Sequence, residues 1–458
     1  MLKGRYIFFF LVLVAVLGTL SFNSFKNTAK ITPAPKIFKF DGELDKISIE
    51  KDFGENFRKK YNSLFDWLDK DFDKLNGAEN TLELKVEENS SSFDSLNFKP
   101  DEFQSLYLLE RNTNKIKITA TDTSALLNGL VTLKKLIDKN SGKLNQGYII
   151  DWPDHSTRVF HFVSRNVEKK TALELLKRAR LYNFNKIIVQ IADGVKLESM
   201  EGEYLHNAWR KEFLYKYSMT ARELGMEFIP EIKFLTHQRK LFKNNYPDLM
   251  FNKFTYDPTL NETKDKFTAI LDEILEVTKA SSVHIGHDEL FGAYEYHPNS
   301  DKKLKKEEES LPPELFKESV LFLHKYLSDK NIEVWMWGDM FLDRDKYPAM
   351  FKWSNHGNEE FASLIDDIPK DIVICDWHYF DNQREFSTSE FFIEKGFKTI
   401  GASWKKEKTI KNFSNYLSKF DDSKKGMMAT TWFHVQRKEW EIVFNTMQTS
   451  SEYFWNAK

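Results

Sequence analysis

The sequence predicts an α/β protein in which a (β/α)8 barrel follows a small α+β accessory domain. From residue 158 to residue 431, eight short apolar runs alternate with segments of helical spacing. An open doubly wound sheet usually has fewer strands and a glycine-rich first turn, and no GxGxxG motif follows any of these runs. The 458 residues also exceed the size of one domain. We therefore expect an amino-terminal segment at 1–30, the accessory domain at 31–150 and the barrel at 151–458.

The amino-terminal segment has the pattern of a targeting sequence. Lys3 and Arg5 precede the apolar run 6–20, whose 15 residues are few for a membrane-spanning helix and typical of a signal peptide. We expect a signal peptide or an uncleaved membrane anchor, and export to a bacterial periplasm, cell envelope or exterior. Cys375 is the only cysteine, which excludes an internal disulfide and a thiolate zinc site.

The accessory domain shows mixed patterns. Runs 106–110 and 115–120 have the composition of strands around the turn NTNK, and 123–138 has helical apolar spacing. Pro153 then marks a boundary before the barrel.

The barrel strands are the eight apolar runs. We place them at 158–163, 186–191, 227–233, 282–285, 332–337, 371–376, 398–402 and 426–431. Segments such as 171–183 and 267–279 between them repeat apolar residues at i, i+3, i+4 and i+7, which predicts helices.

Composition limits the class of partner. The net charge of −2 lacks the basic footprint that nucleic-acid binding requires, so we expect no nucleic acid. Aromatic residues make up 15% of the chain, with 11 tryptophans, whose flat apolar faces stack well on sugar rings. A carbohydrate is therefore the expected partner, with membrane attachment possible through 6–20.

Candidate site residues follow from the barrel, because active sites of this fold lie at the carboxyl ends of the strands. Acids and aromatic residues recur there, and four tryptophans at strand ends favour a sugar-binding rim. The residues at these ends are Asp193, Glu231, His237, Asp288, Glu289, Trp337, Asp339, Asp376, Trp377, Tyr379, Trp404 and Trp432.

The adjacent acids Asp288 and Glu289 allow three interpretations. They could lie on a solvated loop, bind a metal with His284 and His287, or act in acid catalysis. The two histidines are three residues apart and would face opposite sides of a strand, and their spacing is not that of HExxH, so we expect neither metal nor cofactor. Both acids can face one ligand only where the strand has ended and the backbone turns.

Several motifs resemble glycoside hydrolase family 20, the β-N-acetylhexosaminidases. HIGHDE (284–289) resembles the signature H-x-G-x-D-E, and IPEIKFLTH (229–237) places Glu231 and His237 at the family spacing. The resemblance runs from residue 31 to the end, and its closer likeness is to bacterial and hexosaminidase D-like members. Its other motifs are PAPK (33–36), DWPDHSTR (151–158), NFNKIIVQIAD (183–193), VWMWGDM (334–340) and DIVICDWHYF (371–380).

The resemblance implies hydrolysis of terminal β-linked N-acetylglucosamine or N-acetylgalactosamine with retention of configuration. Glu289 would be the general acid, with a pKa raised by an apolar pocket. Asp288 would orient the 2-acetamido group of the substrate, whose oxygen forms an oxazolinium, so that no enzyme nucleophile is needed.

The resemblance also implies roles in substrate binding. Arg158 would hold sugar hydroxyls, with a salt bridge at the base of the barrel as the alternative, and His237 would support the acid or the pocket. Tyr379 would steady the intermediate, and four tryptophans would wall the sugar: Trp337, Trp377, Trp404 and Trp432.

Some positions depart from the family pattern. His287 stands where the family has a small residue, so we expect its side chain to intrude beside the acids. Gln190 and Gly194 replace frequent His and Asp, strand seven lacks Tyr-x-Asp, and strand eight lacks the Glu after Trp432. These changes concern the substrate more than the reaction. A non-catalytic envelope protein that binds carbohydrate on the same fold remains the alternative.

Overall fold

The computed structural model describes residues 31–51, 54–87, 93, 103–140, 142–202, 204–238, 246–292, 303–350 and 357–457. The expected signal peptide or anchor at 1–30 lies outside this range, so that expectation stays a prediction. Among the described residues, no helix is long and apolar enough to cross a membrane.

In the part of the amino-terminal unit that the structure describes, a five-stranded sheet packs with helices. Strand β1 pairs in parallel with β2 through its carboxyl-terminal part and antiparallel with β5 through its amino-terminal part, and the strand order is β1-β2-β4-β3-β5. The elements are β1 (Ile37–Lys51), α1 (Glu55–Lys60), α2 (Asn62–Phe72), β2 (Ala78–Val86), β3 (Tyr107–Arg111), β4 (Lys115–Ala120), α3 (Thr123–Lys139) and β5 (Lys143–Asp151).

The sequence predicted β3, β4 and α3 but not β1, β2 or β5. Strand β1 is rich in charged residues, and β2 buries only two of its nine side chains. Helix α3 begins after Asp122, whose side chain accepts a hydrogen bond from the Ala125 amide at 2.8 Å. It covers the sheet and meets the barrel, where Arg180 donates to Asn128 at 3.1 Å.

The second unit is the predicted barrel. Its eight parallel strands close in the order β10-β11-β12-β13-β14-β15-β6-β7. They are β6 (Arg158–Val163), β7 (Lys186–Gln190), β10 (Glu227–Phe234), β11 (Ser282–Gly286), β12 (Glu333–Trp337), β13 (Val373–Trp377), β14 (Thr399–Ser403) and β15 (Lys425–Thr430). A separate short pair is β8 (Val195–Lys196) with β9 (Trp209–Arg210).

Helices surround the barrel, as the alternating pattern predicted. They are α4 (Lys169–Leu181), α5 (Lys211–Glu223), α6 (Asn261–Thr278), α7 (Pro313–Ser328), α8 (Glu359–Ser363), α9 (Ser387–Glu394), α10 (Glu407–Leu417) and α11 (Trp440–Trp455).

The barrel interior changes character along its axis. Because alternate strand residues face inward, its apolar filling comes from every second position. This inner cluster includes Val159, Ile188, Ile229, Trp335, Val373, Ile400 and Met428. Two residues further along the strands, His161, Gln190 and Glu231 follow instead, and all are buried. On these three strands the carboxyl-terminal end of the interior is therefore polar.

Candidate active site

The acid pair lies where the backbone leaves β11. His287 and Glu289 have left-handed φ angles of 68° and 53°, which residues other than glycine rarely adopt and which cluster at functional sites. This turn lets neighbouring carboxylates face one space. The His237 Nε2 atom lies 3.2 Å from Oδ2 of Asp288 and 3.5 Å from Oε2 of Glu289.

His287 points away from the acids. Its Nε2 lies 3.1 Å from the Ser319 hydroxyl on α7, and its ring packs edge-on against Phe316 at 5.7 Å. The expectation that His287 intrudes on the pocket was therefore wrong, because the left-handed turn directs its side chain out of the barrel. His284 faces the interior, with its ring 4.7 Å from that of Trp337.

A buried lysine on β10 binds the first acid. The Lys233 ammonium donates to both oxygens of Asp288, at 2.9 Å and 2.7 Å, and lies 3.3 Å from Oε1 of Glu231. The rings of Trp337 and Trp432 lie 5.6 Å and 5.3 Å from its nitrogen.

Glu231 is the centre of the polar interior. The Trp337 indole donates to its Oε1 at 3.1 Å, and the Gln190 amide donates to the same oxygen at 3.2 Å. The His161 Nε2 lies 2.6 Å from Oε2. Although burial opposes ionisation, Lys233 and His161 lower the pKa of Glu231 below its ordinary range, so it is a carboxylate.

The two acids of the pair have opposite pKa shifts. Burial alone would raise the pKa of Asp288, but Lys233 and His237 hold it below its usual range. Burial and the Asp288 charge raise the pKa of Glu289 to about 7, against the opposing influence of His237 and Lys233. Near neutral pH the site therefore holds one carboxylate and one carboxylic acid side by side.

Asp339 supports the turn that presents the acids. Its Oδ2 accepts a hydrogen bond from the Glu289 amide at 2.9 Å. Burial, reinforced by the charge of Asp288, raises the pKa of Asp339 well above its ordinary value, so this carboxyl group is neutral.

The predicted aromatic residues form one wall. The ring of Tyr379 stacks on Trp377 at 5.0 Å and meets the edges of Trp404 and Trp432 at 5.6 Å and 6.2 Å. Trp337 lies 5.8 Å from Trp432. The structure thus brings all five of these aromatic side chains together above the inner cluster.

An arginine that the sequence interpretation did not single out lies at the same end of the barrel. Arg165 follows β6, and its Nη1 lies 2.7 Å from Oδ2 of Asp193, which follows β7. The Asp193 Oδ1 atom is buried and accepts no hydrogen bond from the described residues. Burial raises the pKa of Asp193 despite this ion pair. The two side chains offer donors and acceptors suited to sugar hydroxyls.

Two predicted binding residues lie elsewhere. Arg158 begins β6 at the opposite end of the barrel, where it donates to the carbonyl of Asn183 at 2.8 Å and lies over the Trp455 ring at 5.0 Å. Asp376 faces outward, and its Oδ2 accepts from the Ser389 hydroxyl on α9 at 2.5 Å and lies 3.3 Å from His378. Both predictions were wrong, because Arg158 lies at the end of the barrel away from the acids and Asp376 points out of the barrel towards α9.

The geometry also bears on metal binding. Ligand atoms of His237, Asp288 and Glu289 lie within 4.8 Å of one another, the one such cluster found among the described residues. The Lys233 ammonium, however, is bound to both oxygens of Asp288 and would repel a cation. The metal site considered from the sequence, with His284 and His287 as ligands, does not form, since His284 faces inward and His287 faces outward.

The missed residues had usable signals. On β10, Ile229, Glu231 and Lys233 are alternate residues, so a strand whose first position faces inward places the lysine in the interior. Arg165 follows the carboxyl end of a predicted strand, whereas Arg158 precedes one. The family motif DWPDHSTR ends in Arg158, whereas the arginine beside the site is Arg165.

Comparisons with known proteins agree with this geometry. A model described as glycosyl hydrolase family 20, catalytic domain, matches residues 194–458, more than half of the 458-residue chain. A search of curated protein sequences gave no match.

Solved structures with this fold include several bacterial enzymes. A Vibrio harveyi exo-β-N-acetylglucosaminidase in complex with N-acetylglucosamine is 15% identical, with a TM-score of 0.67 over 94% of this chain and 74% of its own. A Flavobacterium johnsoniae chitobiase is 16% identical, with a TM-score of 0.66 over 93% and 69%. A Bacteroides fragilis β-N-acetylhexosaminidase is 15% identical, with a TM-score of 0.65 over 94% and 92%.

Proposed function

Because the chain belongs to glycosyl hydrolase family 20 and is therefore a glycoside hydrolase, we propose that it removes terminal β-linked N-acetylglucosamine or N-acetylgalactosamine from oligosaccharides or glycoconjugates. The observation that carries the proposal is the pair Asp288 and Glu289, two carboxyl groups that face one space with opposite pKa shifts. A carboxylic acid beside a carboxylate suits the cleavage of an acetal whose neighbouring acetamido group takes part in the reaction.

Glu289 acts first as the general acid. With a pKa of about 7, it is about half protonated at neutral pH, and the protonated form gives its proton to the glycosidic oxygen as the bond to the anomeric carbon breaks. The acetamido oxygen of the substrate attacks that carbon, forming an oxazolinium. The Glu289 carboxylate then takes a proton from the water that opens this ring, and the original configuration is restored.

Asp288 holds the acetamido group during this attack. Its Oδ2 accepts from Lys233 and lies within hydrogen-bond distance of His237, whereas the one hydrogen bond given to Oδ1 comes from Lys233. A carboxylate oxygen can accept two hydrogen bonds, so Oδ1 has capacity for the acetamido N–H. Withdrawal of that proton by the carboxylate makes the acetamido oxygen more nucleophilic.

The charges near the pair favour a nucleophile from the substrate. A classical retaining glycosidase uses a second carboxylate to attack the sugar. The neighbouring carboxyl of Asp339 is neutral and bound to the Glu289 amide, which makes it a poor nucleophile. Asp288 is bound to Lys233 through both oxygens, which lowers its nucleophilicity as well.

The proposal is tested with chromogenic β-N-acetylglucosaminides and β-N-acetylgalactosaminides. We expect Glu289→Gln and Asp288→Asn each to lower kcat/KM on 4-nitrophenyl substrates by about 10² to 10⁴, the usual contribution of a positioned acid or base. Glu314→Gln, a change of an exposed acid on α7, is the matched control and should retain full activity. Excess chelator should also leave activity unchanged.

The leaving group separates the two roles. A dinitrophenyl leaving group needs little protonation, so Glu289→Gln should recover much of its activity on that substrate while Asp288→Asn should not. Equal rates for wild type and both variants would refute the assignment. Binding of N-acetylhexosamines without turnover by the wild type would favour the non-catalytic carbohydrate-binding alternative.

A further inference from the structure

The lysine beneath Asp288 is placed to control the acid pair. Lys233 lies near the end of β10 with a side chain only 10% exposed, and its nitrogen is within 3.3 Å of two buried carboxylates, Asp288 and Glu231. A buried ammonium needs such partners, because its desolvation is otherwise very costly.

The hydrogen bonds of Lys233 go to Asp288. An ammonium group has three N–H donors and no acceptor. Among the described residues, Lys233 donates to Oδ1 and Oδ2 of Asp288 and forms an ion pair with Oε1 of Glu231 at 3.3 Å. Because both hydrogen bonds bind Asp288, Lys233 acts on the substrate through that carboxylate.

The position of Lys233 is fixed from below. Glu231 is fully buried and is held by Trp337, Gln190 and His161, from three other strands of the barrel. The aromatic rings of Trp337 and Trp432 also enclose the ammonium. The chain of contacts runs from the closed barrel through Glu231 and Lys233 to Asp288, which leaves the carboxylate little rotational freedom.

We propose that Lys233, anchored by Glu231, is a positioning residue that orients Asp288 by binding both of its oxygens. The inference rests on the proposed function, because it assigns Lys233 a part in the same reaction. Its partner Asp288 then presents Oδ1 to the acetamido N–H in one fixed orientation.

Loss of the ammonium changes the charge balance of the whole pocket. The ionisable groups around it come from β6, from β10 and β11 with the segments that follow them, and from the segment after β12. They are His161, Glu231, His237, His284, Asp288, Glu289 and Asp339. The positive charge of Lys233 lowers the pKa of both Asp288 and Glu289. Its removal should therefore move both limbs of the pH–rate profile to higher pH.

The first experiment compares pH profiles of kcat/KM for wild type and Lys233→Met. The wild-type profile should decline as Glu289 deprotonates around pH 7 and stay high on the acidic side. In Lys233→Met we expect the acidic limb to move up by roughly one to three units, the usual effect of an opposite charge at this distance. The basic limb should move in the same direction.

Two further variants separate positioning from folding. Lys134→Met removes a buried, ion-paired lysine of the accessory domain and should leave both limbs in place. Lys233→Ala with added ethylammonium should regain activity and the wild-type acidic limb, because a small amine can replace the missing ammonium. A lower rate with unmoved limbs and no rescue would overturn the proposal.

A stability measurement keeps this test independent of turnover. Lys233→Met and Asp288→Asn each leave a buried charge without its partner, whereas the double variant removes both charges. We expect the double variant to lose less in Tm than the sum of the single losses. If the Tm losses of the two single variants add up in the double variant, the ion pair does not exist and the proposal fails. If the losses are non-additive but the protein has no hexosaminidase activity, only the proposed function is refuted.

Discussion

Arg158 and Arg165 lie on either side of β6, at opposite ends of the barrel. Arg158 donates to the carbonyls of Asn183, His155 and Ser156, which ties the amino-terminal end of the strand to the adjoining loops. Arg165 pairs with Asp193 at the end that holds the acids. One arginine therefore contributes to the fold and the other is available to the substrate.

Substitution of the two arginines should give opposite results. Arg165→Met should lower kcat/KM by about tenfold or more, the cost of losing a hydrogen bond to a charged group, and should lower Tm less than Arg158→Met does, because the Arg165 side chain is partly exposed. Arg158→Met should lower Tm by several degrees, because it leaves buried carbonyls without donors, and should keep kcat/KM of the folded protein. Steady-state kinetics and thermal unfolding on both variants decide the matter. A large loss of kcat/KM in Arg158→Met, with activity retained in Arg165→Met, would show that Arg158 binds the substrate.

The location of single residues at one end of the barrel was predictable where the pattern of one strand sufficed. Acids and aromatic residues at strand ends identified the pair, His237 and the aromatic wall, because the barrel collects such ends at one face. Asp376 failed for a local reason, since Cys375 and Trp377 face inward and the residue between them must face outward. Lys233 was missed because its importance arises from a contact with a different strand.

At the scale of elements, the turn after β11 decides what the acids can do. An ideal strand would place Asp288 and Glu289 on opposite faces. The left-handed residues His287 and Glu289 end the strand, and the Asp339 carboxyl accepts the Glu289 amide that this turn exposes. Sequence alone indicated that such a turn was required. The outward direction of His287, however, depends on its contacts with Ser319 and Phe316 of α7.

Variants of Asp339 test this support. Because Asp339 is already neutral, Asp339→Asn preserves an acceptor of the same shape and should change kcat/KM by less than about threefold. Asp339→Ala leaves the Glu289 amide without its acceptor and should lower kcat/KM by roughly ten- to a hundredfold. The comparison uses the same chromogenic assay at neutral pH. Equal losses in the two variants would show that the charge of Asp339, and not its acceptor, matters.

At the scale of the whole molecule, the alternation of eight strands with helices was predictable because each strand and helix has its own apolar periodicity. The accessory sheet was only partly predictable, since β2 buries only two of its nine side chains and therefore lacks a strong apolar run. Buried charge clusters are the features that no local pattern predicts. One such buried charge cluster among the described residues lies at the end of β13 and consists of His378, Asp376 and Asp381.

This cluster should make the stability of the protein depend on pH. Burial opposes protonation of His378, but Asp376 and Asp381 raise its pKa to about 10, above the ordinary value of 6.5. A raised pKa stabilises the folded state fully below pH 6.5, and this stabilisation is lost as pH rises through 10. The free energy of unfolding of the wild type should therefore fall across this interval by a few kcal/mol relative to that of His378→Gln.

The measurement is urea unfolding at several pH values between these limits. His155→Gln is the matched control, because His155 is also a buried histidine but its pKa is lowered well below 6.5 by burial and Lys425, so it stays neutral throughout. The difference between wild type and His155→Gln should consequently be constant with pH. If the difference between wild type and His378→Gln is constant as well, His378 is neutral in the folded protein, and the two aspartates cannot be held by an imidazolium charge.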